Sequence, residues 1–85
     1  MNIGDKVFAR CVTYHYTGEI ANVDHECITL VKAAWIADSG RFADAMKTGK
    51  LSEVEPFPDV VKVRLFKANI VDVADWLHDL PREQI

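Results

Sequence analysis

Lys6-Val7-Phe8-Ala9-Arg10-Cys11-Val12-Thr13-Tyr14-His15-Tyr16-Thr17-Gly18 is the stretch that decides the fold class. It is rich in β-branched and aromatic residues and it alternates, which predicts a strand and not a helix. Read as one strand from Lys6 to Tyr16, it places Val7, Ala9, Cys11, Thr13 and His15 on one face. Phe8, Arg10, Val12, Tyr14 and Tyr16 fall on the other, because successive side chains of a strand point to opposite sides. Ile3-Gly4-Asp5 ahead of it is a turn, and Thr17-Gly18 behind it is a turn or a bulge.

Working outward, Glu19 to Val23 alternates again, Asp24-His25-Glu26 is a tight polar link, and Cys27 to Val31 is a third strand reaching Ala33. Three strands with short links make a meander. The pattern then changes. Ser39 is placed to cap a helix from Arg41 to Lys47 with Phe42, Ala45 and Met46 on one side, and Gly49 sits where a helix C-terminal glycine belongs. Glu55-Pro56-Phe57-Pro58 is extended, since proline disfavours helical geometry in the residue before it. Val60 to Phe66 and Asn69 to Val73 read as two further strands, and Asp75 to Leu80 as a single turn before Pro81. The expectation is a mainly β fold: a small five-stranded barrel of bent sheet with a short helical insertion between strands three and four. Residues 1–80 form one domain and residues 81–85 a C-terminal tail.

A chain of 85 residues lies near the lower limit for a single self-sufficient core, so oligomerisation is the expected supplement. Two cysteines are too few for a disulfide framework, and both read as small buried hydrophobes. With no signal segment and no apolar run of membrane-spanning length, the reading is a cytoplasmic protein with reduced thiols and no membrane partner. Residues 1–50 carry six basic and six acidic side chains, whereas residues 51–85 carry four and seven and so supply the whole net charge of −3. Nucleic-acid affinity grows with the phosphates neutralised, so nucleic acid is a disfavoured partner.

The run Val7, then Tyr16-Thr17-Gly18-Glu19-Ile20, Ile28-Thr29-Leu30, Val61-Lys62-Val63 and Asn69-Ile70-Val71 resembles the Sm-like barrel. In that fold a strand leads through an aromatic or small residue and a glycine into a strongly bent second strand. The last two strands pair between neighbours to close a ring. The sequence departs from it by lacking the N-terminal helix and by carrying an insertion after strand three. An SH3-like barrel is the alternative. Val12 to Gly18, Ala33 to Phe42 and Glu53 to Pro58 also resemble a family of small uncharacterised phage and prophage proteins. That resemblance implies a phage setting, hence a host-cell cytoplasm, and no particular activity.

Ala34-Trp35-Ile36-Ala37-Asp38-Ser39-Gly40-Arg41-Phe42 gathers the residue types that grip a small flat ligand. Trp35 and Phe42 offer stacking faces, and Arg41 offers a planar fork for phosphate or carboxylate. Asp38 and Ser39 suit ribose or base edges. Tyr14, Tyr16 and Arg10 are the second group: an aromatic pair beside a cation stacks a base and holds its phosphate. Each group has a plain alternative, a plugged barrel end for the first and a stabilising cross-strand aromatic pair for the second. Cys11 and His15, four residues apart on one strand, would be about 13 Å apart. His15, His25 and His78 show no zinc spacing, and Asp72, Asp75 and Asp79 read as a solvated acidic face. No phosphate loop or nucleophile elbow is present. The expected function is therefore non-enzymatic, without cofactor or metal. It is a phage-type homo-oligomer sequestering a nucleotide-like ligand such as a host immune signal. The alternatives are an interaction scaffold and an Sm-like RNA-binding ring.

Overall fold

The computed structural model describes residues 1–85. Six antiparallel strands and one short helix follow in the order β1 (Lys6–Cys11), β2 (His15–Val23), β3 (Cys27–Asp38), α1 (Phe42–Thr48), β4 (Glu53–Pro56), β5 (Val63–Phe66) and β6 (Ile70–Asp75). A 3-10 turn, Lys67–Asn69, joins the last two strands. The sheet runs β4-β3-β2-β1-β6, and β5 also pairs with β3. No ladder joins its two ends, so the hydrogen-bonded sheet is open.

The mainly β class and the helix after strand three are as the sequence reads. The strand count rises from five to six because Glu53–Pro56 is itself a strand, and it lies at the end of the sheet order, where a proline is tolerated. Lys6 to Tyr16 is not one strand. The chain reverses between Cys11 and His15, with the Cys11 amide donating to the Tyr14 carbonyl at 3.0 Å, and β1 and β2 pair with Arg10 opposite His15. Thr17-Gly18 is accordingly no turn but the bulge alternative, where the β2–β3 register shifts. A Cβ at Gly18 would stand 3.0 Å from that of Leu30, so a larger residue there would require Leu30 to shift by a few tenths of an ångström.

β3 is twelve residues long, nearly twice the expected strand. Its first half, from Cys27 to Leu30, pairs with β5, and its second, from Ala34 to Asp38, pairs with β4. Lys32, with φ of 49°, sits between the halves and marks the bend that lets one strand serve two partners.

Both faces of this sheet are buried. Val7, Ala9, Ile20, Ile28, Leu30, Ala33 and Leu65 pack on one side. Phe8, Ala34, Ile36, Ala45, Leu51, Val54 and Trp76 pack on the other, with Phe42 and Met46 of α1 against them. The helical face predicted from Phe42, Ala45 and Met46 is thus the one that covers the sheet. Ser39 does not cap it: the N-cap is Arg41, with no side-chain capping bond, whereas Gly49 takes the left-handed C-terminal position at φ 78°.

Asp75 to Leu80 forms no helical turn. It lays Trp76 over Phe8, with ring centroids 5.7 Å apart, and the Trp76 indole donates to the Asp79 carbonyl at 3.1 Å. His78 Nε2 lies 2.8 Å from the Met46 carbonyl. A carbonyl only accepts, so this ring nitrogen carries the proton. Residues 82–85 run beside β4, where Val54 and Ile85 exchange backbone hydrogen bonds at 3.1 and 3.3 Å. Arg82 donates to the carbonyls of Ala33 at 3.1 Å and Phe57 at 2.7 Å, and pairs with Asp59.

Candidate functional site

The eight candidate residues divide among three places because the hairpin at Cys11–His15 resets the alternation. Arg10 pairs across the sheet with His15, His15 with Ile36, and Ile36 with Val54. One position along, Ala9 pairs with Tyr16, Tyr16 with Trp35, and Trp35 with Glu55. Adjacent register positions face opposite ways. Arg10 and Tyr16 therefore lie on opposite faces, a correction to the continuous-strand reading.

Arg10 is already engaged on its own face. Its Nε donates to Asp72 Oδ1 at 2.8 Å, and its Nη2 pairs with Asp72 Oδ2. Its guanidinium carbon stands 4.7 Å from the Phe42 ring centre. The hydrogen bond from Arg10 holds the Asp72 carboxyl below the usual carboxylate range, and Asp72 in turn raises the pKa of Arg10. Phe42 is likewise spent on packing, edge-on to Phe8 at 5.5 Å.

Asp38, Ser39 and Arg41 lie where β3 runs out. Asp38 Oδ1 accepts from the Gly40 amide at 2.7 Å, and Ser39 Oγ donates to the Gly40 carbonyl at 3.2 Å. These bonds turn the chain into α1. Arg41 is exposed beside them.

Tyr14, Tyr16 and Trp35 do come together. Tyr14 and Trp35 stand nearly perpendicular, at 86° with centroids 5.1 Å apart. They line a cleft of about 510 Å³ whose other wall is Glu55-Pro56-Phe57-Pro58. That volume lies within the ordinary range for a small-molecule site. The Trp35 indole nitrogen is buried and has no hydrogen-bond partner. Burial, and then the neighbouring Cys11 and Tyr14, push the Tyr16 phenol up from its ordinary value. Glu55 accepts a bond from Gln84 Nε2 at 3.0 Å. The chain's ion pairs are Arg10–Asp72 and Arg82–Asp59, so no cation pairs with Glu55.

Tyr16 also borders a second cavity of about 320 Å³, formed with Cys11, Val12, Thr13, Arg64, Leu65, Phe66 and Asn69. Burial raises the Cys11 thiol pKa, which keeps it protonated and a poor nucleophile. Cys11 packs against the Val7 core whereas His15 lies edge-on to Phe8 at 5.7 Å, so the two are on opposite faces rather than along one strand.

The sequence reading missed the wall formed by Glu55, Pro56, Phe57 and Pro58. The signal was present in the two prolines, which hold an extended segment rigid, but the partner strand of that segment was not visible. It also missed Trp76, which carries no periodic signal in its irregular segment and is placed by packing alone. No protein-family model matches this chain, and neither does any curated protein or solved structure.

Proposed function

We propose that this protein is a non-enzymatic binding protein that sequesters a small ligand with a flat, nucleotide-like ring, and that the ring enters the Tyr14–Trp35 cleft. The supporting observation is the perpendicular pair at 5.1 Å, which gives a ring one face to stack on and one edge to meet. Tyr16 and Phe57 extend the apolar wall, and Pro56 and Pro58 stiffen it. Arg10 has no place in phosphate binding on this reading, because Asp72 occupies its fork. Arg41, exposed and in no ion pair, is the candidate cation for an anionic group, reached from a neighbouring copy.

The assembly is part of the same proposal. We read the bent sheet as an Sm-like or SH3-like small barrel, whose curvature comes from Gly18 and Lys32. β5 and β6 each keep one edge unpaired. β5 carries Arg64 and is flanked by Lys62 and Lys67, and β6 carries Asp72 and Asp75. Phe66 and Val71 on these strands are 55% and 65% exposed. Basic and acidic edges of this kind favour head-to-tail pairing of copies over self-pairing of either edge. The phage setting rests on the resemblance in the sequence, and the role against a host immune signal rests on that setting together with the residue types of the cleft.

Calorimetric titration of mononucleotides, cyclic dinucleotides and ADP-ribose derivatives tests the ligand. A micromolar Kd for at least one of them is expected, with loss of binding in Tyr14→Ala. Tyr14 is 51% exposed, so that variant keeps its fold. No heat with any member of the panel would remove the proposal. Native mass spectrometry tests the assembly, which a monomer at all concentrations would exclude. If the protein is oligomeric and binds no ring, the interaction-scaffold reading takes its place, supported by the same exposed edges.

A further inference from the structure

We infer that the ring held in the Tyr14–Trp35 cleft carries a fixed positive charge, of the N-alkylpyridinium kind. This rests on the cleft being the binding site and narrows what it selects.

Four observations lead there. The aromatic walls are perpendicular with ring centres 5.1 Å apart, so a guest in the corner between them meets two aromatic rings at once. An aromatic face is the negative part of its quadrupole and attracts a cation within about 6 Å of its centre. The only ionisable groups on the walls are Glu55, Tyr14 and Tyr16, with no lysine, arginine or histidine among them. Glu55 is acidic and has no cationic partner within the chain. Tyr16 is a neutral phenol, which burial only pushes further from ionisation, so its ring adds a polarisable wall.

The opposite face of the sheet gives an internal comparison. There the chain meets a cation with the same two parts, an aromatic ring and a carboxylate: Arg10 lies over Phe42 and is paired with Asp72. On the cleft face the ring and the carboxylate are present and the cation is missing. A phosphate or carboxylate placed in this cleft would face Glu55 with no cationic side chain on the lining to neutralise it, and would find only the Trp35 N–H and the tyrosine hydroxyls as donors. An anionic group on the same ligand must therefore point out of the cleft. The pyridinium ring suits the site because it is flat enough to lie against Trp35 and keeps its charge at every pH.

The experiment uses the intact protein and two probes with the same heavy atoms, 1-methylnicotinamide and its 1,4-dihydro form. The first is a cation and the second is neutral. Titrated by calorimetry, the cation is expected to bind about tenfold more tightly, the size that one partly desolvated cation–π contact supplies. Glu55→Gln should weaken the cation about threefold and leave the neutral form unchanged, since Glu55 is exposed and its field is screened. Tyr14→Ala should weaken both. Equal affinity for the two probes, or a preference for the neutral one, overturns the charge assignment while leaving the cleft as a binding site. Absence of binding by either at millimolar concentration overturns the cleft itself, and this inference with it.

Discussion

Substituting Gly49 tests how the segment after β6 is locked over α1, and Gly4 provides the control. Both glycines have positive φ, 78° and 95°. Alanine at either position is pushed into a backbone region that costs an L-residue about 1–2 kcal/mol, offset by about 0.4–1 kcal/mol from the stiffer unfolded chain. The two sites differ in their surroundings. A Cβ at Gly4 meets nothing within 4 Å, whereas at Gly49 it would stand 2.7 Å from His78 Cγ and 2.9 Å from its Cβ. Relief requires His78 to move. That breaks its bond to the Met46 carbonyl, worth about 1 kcal/mol, and its edge contact with Trp76, worth about 0.5–1.5 kcal/mol. Gly4→Ala should therefore cost about 1 kcal/mol and Gly49→Ala about 3 kcal/mol. For a domain this small the 2 kcal/mol difference corresponds to a Tm gap of roughly 8–16 °C. Urea unfolding gives the two free energies, and the double variant with His78→Ala gives the coupling. Equal losses at Gly49 and Gly4, or no coupling to His78, would refute the packing argument.

Two further outcomes follow from the same contacts. The backbone N–H groups of Cys27 and then Glu26 bond to Asp24 and lower its pKa, and Arg10 lowers that of Asp72. A depressed carboxyl stabilises the fold above its unfolded value of about 3.9 and loses that contribution as pH falls through the folded value. Stability should therefore decline below about pH 5, with a shallower decline in Asp24→Asn and Asp72→Asn. Chemical denaturation between pH 7 and pH 2 measures the slope, and unchanged slopes in both variants would contradict it. Arg82→Met leaves the Phe57 carbonyl without its donor at 2.7 Å and should cost about 2 kcal/mol. Hydrogen exchange at the Val54 amide, paired with Ile85, should accelerate in that variant, and unchanged protection would show that the last residues are held by something else.

Much of the fold was legible because alternation and punctuation are local. Val7 and Ala9 on one face against Phe8 on the other, the Asp24-His25-Glu26 link and the Gly49 helix end each depend on a few neighbouring residues, and each stands where the sequence put it. The hairpin was not legible, because Val12-Thr13-Tyr14 has strand-like residues and no glycine or proline to announce a reversal. That one miss carried Arg10 to the wrong side of the site. Phe42 was recognised as an aromatic contact, but local pattern does not distinguish a ring that stacks a ligand from one that packs on Phe8.

The sequence by itself determined the class, mainly β with one short helix after the third strand, because strand and helix periods are written in residue order. It also supplied the chemistry on offer, three aromatic rings near two strand ends. Tertiary structure alone decided which parts meet. β3 is long enough to pair with both β4 and β5, and its pairing with β4 sets Glu55 opposite Trp35, twenty residues away, with Phe57 on the same cleft. The hairpin turns Tyr14 and Tyr16 toward that cleft and leaves Arg10 with Asp72 on the far face. Contacts of that range depend on register between strands, which the order of residues within a single strand does not contain.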